Sequence, residues 1–424
     1  MLRKFFPDVY EGWIVVGCAG CIVMALGAIF FYGFGTIYNE VRTEFGWDNA
    51  DTALAFSLRN EVGGMGAVLV GIAIDRIGAR IVLFVGILMT ASGVFIMSYM
   101  SEIWHFYVIM IYIALGSCAA AGQVGLTAIA TWFRDKRTFA MSIMTLGGGI
   151  GGLFVVIIAW IVEFAGWRDA LRVLALFMFI LGFSLAGNVR TRPQNHHQPL
   201  DGKKNDTLQN STDNLPEPID TGVSVKEALR SRAFIFLSIA LMGSSFGFVA
   251  IVVHQIPYFE TQLGMSKSMA GSTIAIFTTF SIIGRFGFGW MADKTSKQFM
   301  LMIAILLLAS GLIILGFSQN FWIALLGIIV AAPGFGGTIP LAPSMTADYF
   351  GTKYFGTING LLRFVSTTGS ATGPWVVGKL VDINGDYVIG WFVSAAVVLI
   401  LGVPSILMLG RHSTLQPNQL TNTT

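Results

Sequence analysis

A short pattern of a glycine, an aspartate and a basic residue occurs twice in this chain, 218 residues apart. The first copy is Gly71-x-x-x-Asp75-Arg76 and the second is Gly289-x-x-x-Asp293-Lys294. Three single-residue pairs keep the same spacing: Gly46 with Gly264, Trp104 with Trp322, and Gly116 with Gly334. A long unit repeated in an apolar chain predicts two similar halves. Such an arrangement is typical of membrane transporters whose halves move about a shared central site.

The composition supports a membrane protein with many spans. The chain is 54% hydrophobic and 12% charged, whereas soluble domains carry about 25% charged residues. Its net charge of +3 is too small to indicate a nucleic-acid partner. Twelve apolar stretches approach or exceed the ~20 residues that a spanning helix needs. They are 13–38, 51–74, 81–100, 106–132, 139–162, 171–188, 233–258, 269–291, 299–317, 321–349, 355–381 and 387–409.

The distribution of basic residues predicts the orientation. An even number of spans places both termini on one side, and that side then carries eighteen Lys and Arg residues against five on the other. The positive-inside rule therefore places both termini and the central loop in the cytoplasm, with the protein in the plasma membrane or, in a bacterium, the inner membrane. We expect an N-terminal bundle over 1–189, a cytoplasmic linker over 190–232, a C-terminal bundle over 233–411 and a tail over 412–424.

The linker is the one long polar segment. Residues 193–199 and 201–220 are rich in Asn, Gln, Asp, Pro and Thr, a composition that predicts disorder. Residues 224–232 have the pattern of a short amphipathic helix.

The repeated motif also carries a family resemblance. The segment from Gly71 through Asp75, Arg76 and Gly78 to Arg80 resembles the loop that marks the major facilitator superfamily, between its second and third spans. The second copy is at the place where the superfamily has its degenerate copy, and the basic segment from Arg134 to Arg137 is similar to the superfamily's loop between spans 4 and 5. The resemblance covers nearly the whole chain. It implies an all-α fold of twelve transmembrane helices in two six-helix bundles, with a site between them.

Within that superfamily the chain looks most like the group of monocarboxylate transporters and the oxalate/formate antiporter. The segment GRFGFGWMAD, from Gly284 to Asp293, is similar to the part of span 8 that carries the group's substrate-binding arginine, here Arg285. Arg363 lies where the oxalate/formate antiporter has a lysine. Proton-coupled members often have an aspartate four residues before the span-8 arginine, and this chain has Ser281 there. The lysine of span 1 in animal members is replaced by an apolar or aromatic residue near Tyr32.

Four charged residues lie well inside predicted spans: Arg59, Glu61, Arg285 and Arg363. A charge at the centre of a bilayer costs at least ~2.5 kcal/mol on insertion scales, so such residues are functional candidates. Three cations and one anion predict a site that receives an anion. A guanidinium can hold a carboxylate with two hydrogen bonds, which favours Arg285 and Arg363 as the binding residues. The alternative for Arg285 is a side chain that extends to the membrane surface, because the span ends close by.

The other two charges have open roles. Arg59 and Glu61 are two residues apart, so they point to different sides of one helix and do not pair with each other. Arg59 is a further candidate for substrate binding, and Glu61 is the candidate proton carrier. The alternative is an inter-bundle contact, such as Glu61 with Arg363. His254, Tyr32 and Tyr38 are additional substrate-binding candidates, with a packing histidine and an aromatic lining as the alternatives.

The motif loops predict a gate. A carboxylate at a span end can cap a neighbouring helix N-terminus or pair with an arginine. Asp75 could therefore close one side of the protein against Arg137 or the start of span 11 near Gly356. The residues assigned to the gate are Gly71, Asp75, Arg76, Gly78, Arg80, Arg137, Asp293 and Lys294.

The sequence thus predicts a monomeric secondary transporter for a small organic anion, a monocarboxylate moved together with a proton. No cofactor, metal or nucleic-acid partner is expected, and no enzymatic activity. A carboxylate exchanger without pH dependence is the first alternative. A drug exporter and a membrane sensor that does not transport are the others, and the surplus of cations in the spans disfavours the exporter.

Overall fold

The computed structural model describes residues 9–47, 49–120, 122–190, 200–202 and 222–409. The side chains of Tyr32 and Tyr38 lie outside this description, and so do most of the linker and the predicted tail. The described part is built from helices. In the N-terminal half these are α1 (Glu11–Leu26), α2 (Phe34–Phe45), α3 (Asn49–Ile77), α4 (Ala79–Met97), α5 (Ile103–Ala120), α6 (Gly122–Trp132), α7 (Arg137–Ile150) and α8 (Val155–Ala186).

The linker and the C-terminal half continue the helical pattern. The elements are α9 (Val225–Arg230), α10 (Arg232–Pro257), α11 (Lys267–Ala292), α12 (Lys297–Phe317), α13 (Phe321–Phe350), α14 (Phe355–Asn384) and α15 (Val388–Met408). Short turns of other helix types connect some of them: π-helices at Gly27–Tyr32 and Tyr258–Gln262, and 3₁₀-helices at Gly151–Phe154 and Leu200–Gly202.

The predicted number of membrane-length segments is confirmed. Nine stretches of the described residues are long and apolar enough to cross a membrane. One of these, Arg137–Ala186, contains two successive segments, because the backbone leaves the helical conformation at Gly166 (φ 77°, ψ 161°). Helices α3 and α14 have 29 and 30 residues but are more polar. The eight other stretches, the two segments within Arg137–Ala186, and helices α3 and α14 make twelve segments in the part of the chain that the structure describes.

The internal repeat is visible in the backbone. Gly46 and Gly264, which are 218 residues apart, both end a segment in the left-handed region with φ of 67° and 66°. Residues other than glycine rarely adopt this conformation, so glycine at both positions has the same structural cause. Each half also has its own hydrophobic core, one almost wholly within 15–189 and the other within 228–409.

The bundle has two ends, the linker face and the distal face. The linker face is the end where the first described residues and the linker lie. There the Tyr10 hydroxyl donates to the backbone oxygen of Trp132 (3.0 Å), and the Trp132 ring nitrogen donates to the oxygen of Arg190 (2.8 Å). The distal face is the opposite end.

The two halves meet mainly through two pairs of helices. Helix α3 packs against α14, and α7 packs against α11 and α13. The predicted linker helix is present as α9, shorter by one residue at its start and two at its end. Ser224 and Glu227 form a capping box at its N-terminus, and these hydrogen bonds lower the pKa of Glu227. The segments predicted to be disordered lie outside the described residues, except Asp201 and Gly202.

Candidate functional site

The four charged residues within spans lie on helices that line the plane between the halves. Arg59 and Glu61 are on α3, Arg285 is on α11 and Arg363 is on α14. Since α3 packs on α14 and α11 on α7, these helices face the opposite half over part of their length.

Arg285 reaches across this plane. Its Nη1 donates a hydrogen bond to the backbone oxygen of Thr145 in α7, at 2.8 Å. A β-carbon at Gly148 or Gly149 would lie 3.8 or 3.6 Å from the same nitrogen, so the glycines leave room for the guanidinium. The side chain is therefore directed into the other half, and not along its own helix to the membrane surface.

Arg59 lies beside an irregular part of the first segment. Its guanidinium carbon is 5.6 Å from the ring centroid of Phe30, within the range of a cation–π contact. Phe30 belongs to the π-helix Gly27–Tyr32 that separates α1 from α2. Such turns of π-helix are rare and are found frequently at functional sites.

Glu61 faces α14. Glu61, Gly64 and Gly71 recur at intervals of three and seven residues, so they lie on one side of α3. A β-carbon at Gly64 would contact Thr367 of α14, and one at Gly71 would overlap the backbone oxygen of Gly356. Glu61 is therefore about one turn further toward the distal face than the contact of Gly64 with Thr367.

Arg363 lies on the matching side of α14, between Gly356 and Thr367. Its side chain is exposed although it is in the middle of a membrane-length helix. It is also near enough to Cys118 of α5 for an electrostatic interaction, which places its charge toward the N-terminal half. Among the described residues Glu61 takes part in none of the ion pairs, so the alternative pairing of Glu61 with Arg363 is not present in this arrangement.

Asp75 closes the linker face against α14. Its carboxylate accepts hydrogen bonds from the backbone N–H of Gly356 (3.0 Å) and of Thr357 (2.7 Å), and from the Thr357 hydroxyl (2.6 Å). These groups are the N-terminus of α14, where the helix dipole favours a negative charge. Of the two partners that the sequence leaves open for Asp75, the contact is with the start of span 11.

Asp293 makes the corresponding contact with α7. Its two carboxylate oxygens accept the backbone N–H groups of Thr138 (3.0 Å) and Phe139 (2.9 Å). Burial raises the pKa of Asp293, while the hydrogen bonds from these two residues and the charge of Lys297 lower it by less. The carboxyl group is thus held in a partly desolvated position between the halves.

Arg137 pairs with a residue that the sequence did not single out. Its Nη1 is 2.6 Å from Oδ1 of Asp348, at the end of α13, and Lys297 Nζ is 2.5 Å from Oδ2 of the same carboxylate. Thr138 and Ser344 add a buried contact between their hydroxyl oxygens (2.8 Å). Asp348 therefore joins a basic residue of each half, and its position at a span end was the only signal in the sequence.

A second unpredicted contact is the buried pair of Gln123 and Asn359. Gln123 Nε2 donates to the backbone oxygen of Gly356 (2.9 Å), and Asn359 Nδ2 donates to Gln123 Oε1 (3.1 Å). Both amides are polar residues in apolar spans, which is a signal that sequence reasoning could have used. They join α6 to α14 between the charged residues and the linker face.

The glycines of the repeated motif are required by close packing. A β-carbon at Gly289 would overlap the Ser142 side chain, just as one at Gly71 would overlap Gly356. Gly78 has a φ of 87° in the turn between α3 and α4. Substitution at any of the three would displace a helix or strain a turn.

The remaining basic residues of the motif do not join the halves in the described structure. Arg76 is exposed. The Arg80 guanidinium lies 5.8 Å from the Phe84 ring centroid, and Lys294 Nζ lies 3.6 Å from that of Trp290, so both contact aromatic rings of their own half.

His254 is held within the C-terminal half. Its Nε2 is 2.8 Å from the backbone oxygen of Pro374, and its ring lies near Tyr387. Tyr32 and Tyr38 are in the first segment, but their side chains lie outside the described residues. In the described part of the chain, no three His, Cys, Asp or Glu residues lie close enough together to hold a metal ion.

Comparison with known proteins identifies the family. The sequence profile of the Major Facilitator Superfamily matches residues 20–374, and a second match covers 235–423. The chain belongs to the Major Facilitator Superfamily. It is therefore a transporter and a multi-pass membrane protein, not an enzyme.

Several members of the superfamily are similar to this protein over most of its length. Human monocarboxylate transporter 12 is 22% identical over 409 residues, which cover 90% of this chain and 77% of the relative. Human monocarboxylate transporter 2 is 23% identical over 414 residues, covering 94% and 85%. The solved structure of the human organic anion transporter MFSD10 (TETRAN) matches with a TM-score of 0.71 at 12% identity, covering 95% of this chain and all of that one. The fold is that of a superfamily transporter.

Proposed function

We propose that this transporter moves a small organic anion, a monocarboxylate, together with a proton. The observation that carries the proposal is the charge of the region between the halves. Arg59, Arg285 and Arg363 lie on helices that line it, and Glu61 is the one carboxylate among them. Surplus positive charge in a membrane interior is stable when an anion enters.

Arg285 and Arg363 bind the carboxylate in this proposal. The Arg285 guanidinium already donates to a neutral backbone oxygen, that of Thr145, and a carboxylate oxygen is a stronger acceptor for the same group. Arg363 is exposed and directed toward the N-terminal half. Arg59 supplies further positive charge from the opposite side of the site.

Glu61 carries the proton. It faces α14 about one turn beyond the contact of Gly64 with Thr367, so it can be reached from the site when the halves separate. An incoming carboxylate offsets the charge of the arginines, and the loss of neighbouring positive charge favours the protonated form of a carboxyl group. Binding of the anion and of the proton would thus support each other.

Alternating access would move the anion across the membrane. The shortest approaches between the halves, those of Gly289 with Ser142 and of Gly71 with Gly356, lie on the linker side of the four charged residues. We assign the linker face to the cytoplasm, because most basic residues lie on that side. This conformation is then closed to the cytoplasm and opens toward the distal face. One chain contains both halves, so a monomer suffices.

The transport classes of similar proteins agree with this substrate class. Two are monocarboxylate transporters, and one solved structure is an organic anion transporter. At about 22% identity these names support a class of substrate and not a particular compound.

The test is uptake of labelled mono- and dicarboxylates into proteoliposomes, with and without an imposed proton gradient. We compare wild type with Glu61→Gln and Arg285→Ala. Arg230→Ala is the matched control, since it removes an exposed cation from α9, outside the bundle. We expect gradient-driven uptake of a monocarboxylate, retained in the control and lost in the other two variants.

Other outcomes separate the alternatives. Uptake that ignores the gradient, requires an internal anion and survives Glu61→Gln would contradict proton coupling and favour exchange. Absence of carboxylate transport by a well-folded wild type would contradict the substrate class.

A further inference from the structure

A linker residue occupies the start of α7. The carboxylate of Asp201 accepts the backbone N–H groups of three consecutive residues, Arg134 (3.1 and 3.2 Å to its two oxygens), Asp135 (3.0 Å) and Lys136 (3.3 Å). These residues form the turn that leads from α6 into α7. Although the composition of 201–220 predicts disorder, Asp201 is therefore fixed to the N-terminal half.

The backbone of Asp201 supports a specific role for this contact. With φ of 56° and ψ of 10°, it is the one residue other than glycine with positive φ in the described part of the chain. The left-handed conformation is unfavourable for L-residues, although aspartate tolerates it better than most. Hydrogen bonds to three N–H groups offset that cost and hold the carboxylate against the turn.

The same helix start also receives carboxylates from the C-terminal half. Asp293 accepts the N–H groups of Thr138 and Phe139, and Asp348 pairs with Arg137. Asp201 is itself near enough to Arg137 for an electrostatic interaction. The N–H groups and the guanidinium at the start of α7 thus have one anion from the linker and two from the C-terminal half.

We propose that Asp201 lowers the cost of opening the linker face. When the halves separate there, Asp293 and Asp348 withdraw from α7 with the C-terminal half. Asp201 remains, because its carboxylate accepts its hydrogen bonds from the N-terminal half. A helix start that already holds one carboxylate gains less from a second one, so Asp201 weakens the hold of Asp293 and shifts the equilibrium toward the open face.

Helix α14, the repeat counterpart of α7, is approached differently by the linker. There the linker backbone N–H of Val223 donates to the oxygen of Phe350 (3.1 Å), and Gly222 pairs with Gly351. In the described residues no linker carboxylate accepts a hydrogen bond from that turn, and Glu227 bonds to Ser224 of its own helix. The effect is therefore specific to α7 and to one of the two caps.

The experiment measures opening directly and does not depend on the substrate, although it rests on the alternating access proposed above. Ile77 and Thr295 are exposed positions of opposite halves at the linker face, again 218 residues apart. Spin labels at Ile77→Cys and Thr295→Cys, in a full-length chain without Cys18, Cys21 and Cys118, report the distance between the halves in nanodiscs. The distance is measured both with Asp75 intact and in an Asp75→Asn background, so that a rise and a fall in the open fraction of the linker face can both be detected.

We expect Asp201→Asn to lower the ratio of open to closed linker face by about fivefold, the size of one net hydrogen bond. Asp201→Gly should act in the same direction, because glycine keeps the left-handed backbone and lacks the carboxylate. Asp169→Asn is the control: Asp169 is paired with Arg172, away from the linker face, and its substitution should leave the ratio unchanged.

In an Asp293→Asn background the effect of Asp201→Asn should shrink to less than about twofold, since two groups that act on one helix end are coupled. An unchanged or raised open fraction in Asp201→Asn, in samples that remain monodisperse, would overturn the proposal. So would an equal effect with and without Asp293, or opposite effects of Asn and Gly at position 201. None of these results bears on which anion is transported.

Discussion

Asp75 and Asp293 cap helices of the opposite half by the same contact, made in opposite directions. Asp75 accepts the N–H groups of Gly356 and Thr357, and Asp293 accepts those of Thr138 and Phe139. The two aspartates are 218 residues apart, and so are Thr138 and Gly356. The internal repeat therefore applies to the gate as well as to the helices, and the closed linker face is held by two related caps.

Removing the charge of Asp75 should open the linker face. Asp75→Asn keeps the size of the side chain but loses the charge-assisted hydrogen bonds to the start of α14. Such bonds contribute about 2 kcal/mol in total, so the ratio of open to closed face should rise about thirtyfold. The distance between labels at positions 77 and 295 measures it. Asp169→Asn is the control, and an unchanged distance distribution in Asp75→Asn would show that the cap does not hold the face.

Gly71→Ala should have a similar effect by a steric route. The added carbon would overlap the backbone oxygen of Gly356, which cannot rotate away as a side chain could. Overpacking of this kind costs about 1–3 kcal/mol, and separation of α3 from α14 relieves it. The open fraction should therefore increase by about tenfold.

Gly63→Ala is the matched control for this substitution. It is on the same helix, and a β-carbon there would have no atom within 4 Å. Alanine also favours the helix over glycine, so this variant should fold at least as well as wild type and leave the gate closed. Equal effects of the two substitutions on the label distance would argue against the close approach as the cause.

The closed linker face should become more stable as the pH on that side falls. Burial raises the pKa of Asp293 while the face is closed, and opening returns the carboxyl to water and its pKa toward the ordinary range. The closed form therefore binds the proton more tightly. Between the raised and the ordinary pKa, acidification favours closure, and above that interval this contribution is absent. Label distances measured as the pH is lowered from about 7 to about 4, the ordinary pKa of an aspartate, test it. Asp293→Asn should remove this part of the pH dependence, and a closed fraction that falls on acidification would contradict it.

Two substitutions of Arg285 should separate the contribution of its charge to transport from that of its hydrogen-bond geometry. Arg285→Ala removes both the positive charge and the hydrogen bond to Thr145, so we expect kcat/KM for carboxylate uptake to fall about hundredfold. Arg285→Lys keeps the charge but not the planar pair of donors, and a loss of about tenfold is expected. Initial rates over a range of substrate concentrations measure both. Equal activity of the Ala variant and wild type would exclude Arg285 from the site.

The sequence predicted the architecture because its signals are local. Apolar length and the distribution of charge define the spans, and the spacing of the motif defines the repeat. For Asp75 the sequence left two partners open, Arg137 and the region of Gly356, and the structure contains the second contact. The π-helix beside Phe30 has no comparable signal, because it depends on how the first segment packs.

The sequence by itself determined that this chain is a twelve-segment, internally repeated membrane protein with surplus positive charge in its spans. Only the tertiary structure decided which charges meet: Arg137 pairs with Asp348, Arg285 contacts α7, and Asp201 holds the turn before α7. The physical reason is the distance along the chain over which each interaction acts. Hydrophobic length and helix periodicity act between near neighbours in the chain. A hydrogen bond between residues that are far apart in the chain depends on the packing of whole helices.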